Sequence, residues 1–432
     1  MTRTARGVLR RLLQLVLLTV LAWSIPTAAA VPTPAFRQRA DALVSLLAGK
    51  TAPETLFSPT FLTQVPPAQV TSIGKQLRDS YGAPRTVERI EAKSASSGTV
   101  VVRFDRALVK MEMAIGPPPA QLIEGLLVTG VEMAQDDVPT VFGELTALPG
   151  TVSLSAARLE PGGPASFLTQ EDDEALAVGS SFKLFILAEL IREVKAGERR
   201  WAEVVPLGAP SLPSGILQDW PPGSPITLHS LAALMLSRSD NSAADTLLEL
   251  VGREKVEALL PALGVRTAER DRPFLSTREM FALKLGEPAL LADWLRADAA
   301  GRRALLPRID AVAAKSLDAT RMAGAPIAID KVEWFASAAD LVRTLDWIRR
   351  SGDATALALL AINPGLSRDQ AASFDYAGFK GGSEPGVLNL SYLVRRRDGT
   401  WVALSGTWNN PAAAVEETRF VALMQRLVML SK

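Results

Sequence analysis

Hydrophobic positions change period along the chain, and the changes divide it. Phe36, Ala40, Leu43 and Leu47 recur at helical spacing up to Gly49. A second series, Val70, Ile73, Leu77 and Tyr81, stops at Gly82, a residue type favoured just past a helix end. The period then drops to two. Val100, Val102 and Phe104 share one face, while Val109, Met111, Met113 and Ile115 alternate with Lys110, Glu112 and Ala114. This predicts half-buried strands in a meander that turns near Asp105-Arg106, with a further strand over 122–131 after three prolines.

Helices followed by antiparallel strands make a small α+β unit over residues 31–138. A curved sheet wrapped on a helix, as in nuclear transport factor 2-like domains, is one shape that satisfies the order. The polar stretch 134–139 reads as a linker. Beyond it, strands over 152–154 (serines on its other face) and 165–168 lead into Gly179-Ser180-Ser181-Phe182-Lys183-Leu184. From Leu184 to Ile191 the residues are apolar almost all round, which predicts a buried helix. Helices follow over roughly 227–236, 242–251 and 254–263, and another opens with a capping box, Ser276-x-x-Glu279. Alternation returns at Leu388, Leu390, Tyr392 and Val394; Asp398-Gly399 makes a hairpin, and a strand runs back over 401–404. Asn410-Pro411 is expected to begin a closing helix. The second domain, 139–432, therefore pairs an antiparallel sheet with a helical lobe.

Composition narrows the function. At 432 residues two domains are the natural division, and a net charge of +1 without a basic stripe excludes nucleic acid as partner. The chain has no cysteine, which rules out disulfides, thiolate metal sites and a cysteine nucleophile. Its single histidine, His229, opens an apolar helix and reads as structural, so neither metal nor cofactor is expected. Arg3, Arg6, Arg10 and Arg11 precede an apolar run over 12–25 and then Ala28-Ala29-Ala30. That is the pattern of a secretory signal peptide, and the run is short of the roughly 20 residues a membrane span requires. The protein is expected to be exported, touching membrane only through this segment.

The candidate chemistry starts at Ser180-x-x-Lys183. Residues three apart share a helix face, and an ammonium near a core is costly unless its pKa falls. A neutral lysine there can take the proton of the serine beside it and make a nucleophile. Ser72-x-x-Lys75 has the same spacing, on an amphipathic helix where lysine reaches water. Two later segments single out Ser180: Ser239-Asp240-Asn241, between two helices, and Lys380-Gly381-Gly382, ahead of the last strand pair. Alone, the first is a helix cap and the second a turn; the conjunction in this order is what chance rarely supplies.

With these three segments the chain resembles the class A β-lactamases and penicillin-binding proteins, whose motifs are Ser-x-x-Lys, Ser-Asp-Asn and Lys-Thr-Gly. The resemblance covers about 141–432, and the two-domain layout is similar to the Cpe/LpqF family of serine hydrolases, associated with esterase-type activity. It implies Ser180 as acylated nucleophile, Lys183 as general base and Ser239 as proton relay to the leaving group. Asn241 would hold Lys183 or a substrate amide, Lys380 would attract an anionic group, and the N–H groups of Ser180 and Ser383 would bind the oxyanion. Two departures matter. Gly381 replaces the hydroxyl that normally helps hold a substrate carboxylate, and residues 269–275 lack the Glu-x-x-Leu-Asn of the deacylating glutamate, with Glu279 explained by its capping box. The resulting expectation is an exported serine hydrolase for small esters, amides or β-lactam-like molecules, turning over β-lactams weakly or not at all. The alternatives are a true class A-like β-lactamase and a non-catalytic cell-envelope binding protein.

Overall fold

The computed structural model describes residues 31–133, 136–312, 317 and 324–432; the expected signal segment, 1–30, lies outside them. The chain divides between Gln135 and Asp136 into two units, each with its own core.

In the first unit, helix α1 (Pro34–Leu47) starts at Thr33, whose hydroxyl accepts from the Phe36 N–H at 3.2 Å. A short helix, Pro59–Gln64, precedes α2 (Pro67–Tyr81). Strands β1 (Pro84–Ala92), β2 (Ser97–Phe104), β3 (Ala107–Ile115) and β4 (Ile123–Met133) then pair antiparallel in chain order. Phe36, Ala40, Leu43 and Leu47 share one core with Val100, Val102, Phe104, Val109, Met111 and Met113. Strand β1 escapes the period-two reading. Register shifts after Pro84 and after Val87 put its apolar residues, Val87 and Ile90, three apart.

The second unit opens within the stretch read as linker. Helix α3 (Val138–Thr146) is capped by Asp137, which accepts from the Thr140 N–H at 2.8 Å, and Asp136 pairs with Arg426 at 2.7 Å. Strands β5 (Thr151–Glu160) and β6 (Gly163–Gln170) lead through a 3₁₀ turn, Gly179–Phe182, into α4 (Lys183–Lys195). Next come α5 (Leu228–Ser237), α6 (Asn241–Val251), α7 (Thr277–Leu285) and α8 (Ala338–Ser351). Strands β7 (Tyr376–Glu384), β8 (Val387–Arg395) and β9 (Trp401–Asn409) and helix α9 (Glu417–Leu430) end the chain. The sheet runs β7-β8-β9-β5-β6, antiparallel throughout.

Both faces of that sheet are covered. The helical lobe and α8 share one core with Ala157, Leu393 and Ala403, while α3 and α9 share another with Leu154, Tyr392 and Leu404. Double coverage explains why β5 is longer than its apolar alternation suggests: buried Ser153, Ser155, Ala156 and Ala157 fill it with small side chains. The expected start of the last helix at Asn410-Pro411 is corrected. The helix begins at Glu417, and Asn410 Oδ1 instead accepts from the Ala412 N–H at 3.0 Å in a turn. Its inward stripe, Phe420, Leu423, Met424 and Leu427, starts only there, whereas residues 411–414 are exposed with no core to pack against.

Candidate active site

Helix α4 explains why Ser180 sits where it does. Every residue from Lys183 to Ile191 is buried, and the turn ahead of it is locked to the sheet by its second serine. The Ser181 hydroxyl donates to Asn389 Oδ1 at 2.6 Å. Asn389 Nδ2 in turn donates to Thr407 Oγ1 at 2.8 Å and to the Gly406 carbonyl at 3.1 Å. With Ser181 turned inward, its neighbour Ser180 faces a cleft of about 810 Å³, a size suited to a small molecule. Ser181 and Asn389 were not read as site residues; alternation places Asn389 inside the sheet but does not name its partner.

Gly382 lets strand β7 close on that turn. A Cβ there would stand 2.2 Å from the Val178 carbonyl oxygen and 2.3 Å from the Ser180 nitrogen. At the β7–β8 hairpin Glu384 opposes Val387 across a two-residue loop, and Ser383 opposes Leu388. In an antiparallel pair, hydrogen-bonded and non-bonded positions alternate, so the Ser383 N–H is directed away from β8 to the open edge. Gly179, at φ +48°, brings the turn within 3.0 Å of that nitrogen, measured from where its Cβ would be. The Ser180 and Ser383 nitrogens are thus brought close together where β7 meets the turn. Gly382→Ala is expected to lower ester turnover at least about 100-fold by parting these donors. Steady-state kinetics with a melting curve checks this, and an unchanged rate would show that the strand is not held so closely.

Lys183 is the centre of the arrangement. Its Nζ lies 3.1 Å from Ser180 Oγ, 2.6 Å from the Ser239 carbonyl, 3.2 Å from Ser239 Oγ and 2.7 Å from Asn241 Oδ1. Asn241 is oriented by its other amide atom, Nδ2, which donates to the Leu212 carbonyl at 2.9 Å. Burial brings the lysine down to about 7, against the opposing pull of Asp245 and Asp240. In the neutral amine two N–H bonds are taken by acceptors that have no proton to give, the Ser239 carbonyl and Asn241 Oδ1. The lone pair is left for a hydroxyl.

Ser239 is held between two amines. Its Oγ accepts from Lys380 at 3.1 Å and lies 3.2 Å from Lys183 Nζ, and Lys380 also donates to the Gly381 carbonyl. Burial, and then Lys183, pushes Lys380 well below the usual lysine range. Ser239 itself adopts φ +54°, an uncommon conformation for a residue with a side chain. Asp240 secures it: one carboxylate oxygen accepts from the N–H groups of Ile216 (2.7 Å) and Leu217 (2.9 Å), and the other caps α6 through Ala243 (2.9 Å). Asp240 is a cap in sequence terms and an anchor of the turn that carries Ser239 in three dimensions.

All of Ser180, Ser239, Asn241, Lys380, Gly381, Gly382 and Ser383 line this one cleft, with Lys183 beneath it. The glycine at 381 has a local cause. A Cβ there would lie 2.8 Å from Phe379 Cζ, and that ring is braced by Tyr392 at 4.8 Å between centroids. Glu279 closes its capping box and pairs with Arg253 at 2.7 Å, while Glu269 is exposed and pairs with Arg272 at 3.4 Å; neither lines the cleft. Glu333 and Glu384 do, and neither was singled out in the sequence. His229 is exposed at the start of α5. Among the described residues no group of three or more His, Cys, Asp or Glu side chains is placed to hold a metal.

The profile of the beta-lactamase enzyme family matches residues 136–351, half of the chain. No curated protein matches. Similar solved structures include a beta-lactamase from Sphaerobacter thermophilus DSM 20745, at 22% identity over 68% of this chain and 94% of that one, TM-score 0.45. A beta-lactamase from Chitinophaga pinensis DSM 2588 has 17% identity over 68% and 97%, TM-score 0.46. PBP-A has 14% identity over 68% and 94%, TM-score 0.46. The chain belongs to the beta-lactamase enzyme family. Its second unit is a beta-lactamase-like domain of mixed helix and sheet, preceded by a separate N-terminal domain.

Proposed function

We propose that this chain is an exported serine hydrolase that forms an acyl-enzyme on Ser180 with Lys183 as general base. It acts on small esters and amides and turns over β-lactams weakly, in the manner of the Cpe/LpqF family. The observation that carries this reading is the Lys183 amine, near-neutral by burial, 3.1 Å from Ser180 Oγ, with its remaining donors tied to two carbonyl oxygens. Ser180 Oγ bonds to the acyl carbon while its proton passes to Lys183. The proton then travels through Ser239 Oγ to the departing alkoxide or amine. The N–H groups of Ser180 and Ser383 receive the charge that develops on the carbonyl oxygen, a contribution of roughly 3 kcal/mol per donor.

Two features support esters over β-lactams. The Gly381 position offers no hydroxyl to a substrate carboxylate, and burial, then Lys183, pushes the Lys380 amine well below the usual lysine range, which weakens it as a partner for a carboxylate. Export rests on the basic, apolar and small-residue pattern of residues 1–30. A 3′-acetoxy cephalosporin offers the protein both bonds at once. Acetate release with the ring intact is the expected result, read by chromatography and ring absorbance. Rapid ring opening would instead make the protein a β-lactamase. No product and no adduct, with small ester probes also inert, would make it a binding protein.

A further inference from the structure

Three buried ionisable side chains, two of them in the lining of the cleft, are left unused by the acylation chemistry. Lys284, on α7, donates to Glu333 Oε1 at 2.7 Å and to Glu384 Oε1 at 2.5 Å. Exposure of the three side chains is 0%, 0% and 6%. The second oxygen of Glu333 accepts from the Trp334 N–H at 3.3 Å. The second oxygen of Glu384 is different: it is buried and, among the described residues, has no hydrogen-bond partner. A buried acceptor left unpaired is costly, so its retention at the wall of a reaction cleft asks for a role.

Register locates it. Side chains two apart on a strand share a face at about 6.6–6.8 Å, so Lys380, Gly382 and Glu384 all point from β7 towards the helical lobe. Gly382 meets the Ser180 nitrogen, and Glu384 stands one step further along the same face of β7, in the lining of the same cleft. Resting on the acyl-enzyme reading above, we propose that Glu384 accepts the proton of the water that hydrolyses the ester on Ser180.

The water oxygen bonds to the acyl carbon while one of its protons goes to Glu384 Oε2. As the tetrahedral adduct collapses, the bond to Ser180 Oγ breaks and that oxygen is reprotonated through Lys183, the amine passing on a proton that it takes from solvent by way of Ser239. Glu384 is then one proton richer and Lys183 unchanged, and Glu384 returns its proton to solvent. The surroundings suit the task. Burial and then the facing Glu333 raise the Glu384 carboxyl well above its ordinary value, opposed by Lys284. The carboxyl is therefore a better base than an exposed glutamate and can share its new proton with Glu333. Asp271 accepts from the Phe335 N–H at 2.8 Å, and burial raises its own carboxyl well above the ordinary range, with Glu333 among the charges that add to the rise.

The test separates the two chemical steps with p-nitrophenyl acetate. Glu384→Gln should retain a burst of nitrophenolate and an adduct visible by intact-protein mass, with decay of that adduct slowed at least about 100-fold. In the wild type, adduct decay should accelerate as pH rises through the raised carboxyl range, and Lys284→Met, which removes the opposing cation, should move that limb to higher pH. Unchanged decay in Glu384→Gln, or a flat wild-type profile, would overturn the proposal. If Glu384→Gln fails to melt cooperatively, the wild-type profile decides alone. Absence of any burst in the wild type, or an adduct persisting in Ser180→Ala, would strike the acyl-enzyme reading instead.

Discussion

Ser180→Ala is expected to remove the nitrophenolate burst and lower ester turnover on the order of 10⁴-fold or more, the scale on which serine hydrolases lose activity with their nucleophile. The loss should come without unfolding. Ser180 is only partly buried, and its hydroxyl takes one hydrogen bond, from Lys183, worth about 1 kcal/mol. The turn is fastened by Ser181 and Asn389, which the substitution leaves alone. Melting temperature and intact mass after exposure to the ester check both halves. Wild-type turnover in a folded Ser180→Ala variant would remove Ser180 from the mechanism.

The second large effect is a pH limb on acylation. Lys183 works as a base only when neutral, and burial brings its amine to about 7. Burst rate should therefore rise with pH, reach half its maximum near pH 7 and flatten above it; protonated Lys183 at lower pH has no lone pair for Ser180. Lys183→Met keeps a flexible apolar stem in the buried site and should slow acylation about 10²–10⁴-fold while erasing the limb. The measurement is pre-steady-state burst rate from pH 5 to 9. A limb that survives in Lys183→Met belongs to another group. This limb is distinct from that assigned to Glu384, which acts on adduct decay and belongs to a carboxyl group.

Much of the architecture was legible because it depends on neighbours in sequence. The apolar run after Lys183, the Ser276–Glu279 box and the hairpin at Asp398-Gly399 are local patterns, and each appears in place. Strand β1 was not legible because bulges break its alternation, and the start of α9 was misread because Asn410-Pro411 carries a strong cap signal with no core beside it. A cap is a local preference; the helix forms where its apolar stripe finds a sheet.

The candidate site divides in the same way. Motif order identified Ser180, Lys183, Ser239, Asn241 and Lys380, yet spacing alone does not separate Ser180-x-x-Lys183 from Ser72-x-x-Lys75. In the folded chain Lys75 is 69% exposed and pairs with Asp79 at 2.6 Å, whereas Lys183 is fully buried among acceptors. A lysine's proton affinity follows from desolvation and from charges brought near by distant segments, neither of which spacing encodes. Glu333, Glu384 and Lys284 make the same point. Nothing local marks them, and only the closure of β7 on α7 and on the segment before α8 places two carboxylates around one ammonium at the cleft. The sequence by itself determined the order of elements and singled out the Ser180-x-x-Lys183 segment, because helix and strand periods and caps are short-range. Tertiary structure decided which lysines have their proton affinity lowered and which glutamates meet the cleft, because burial and electrostatic coupling act through space.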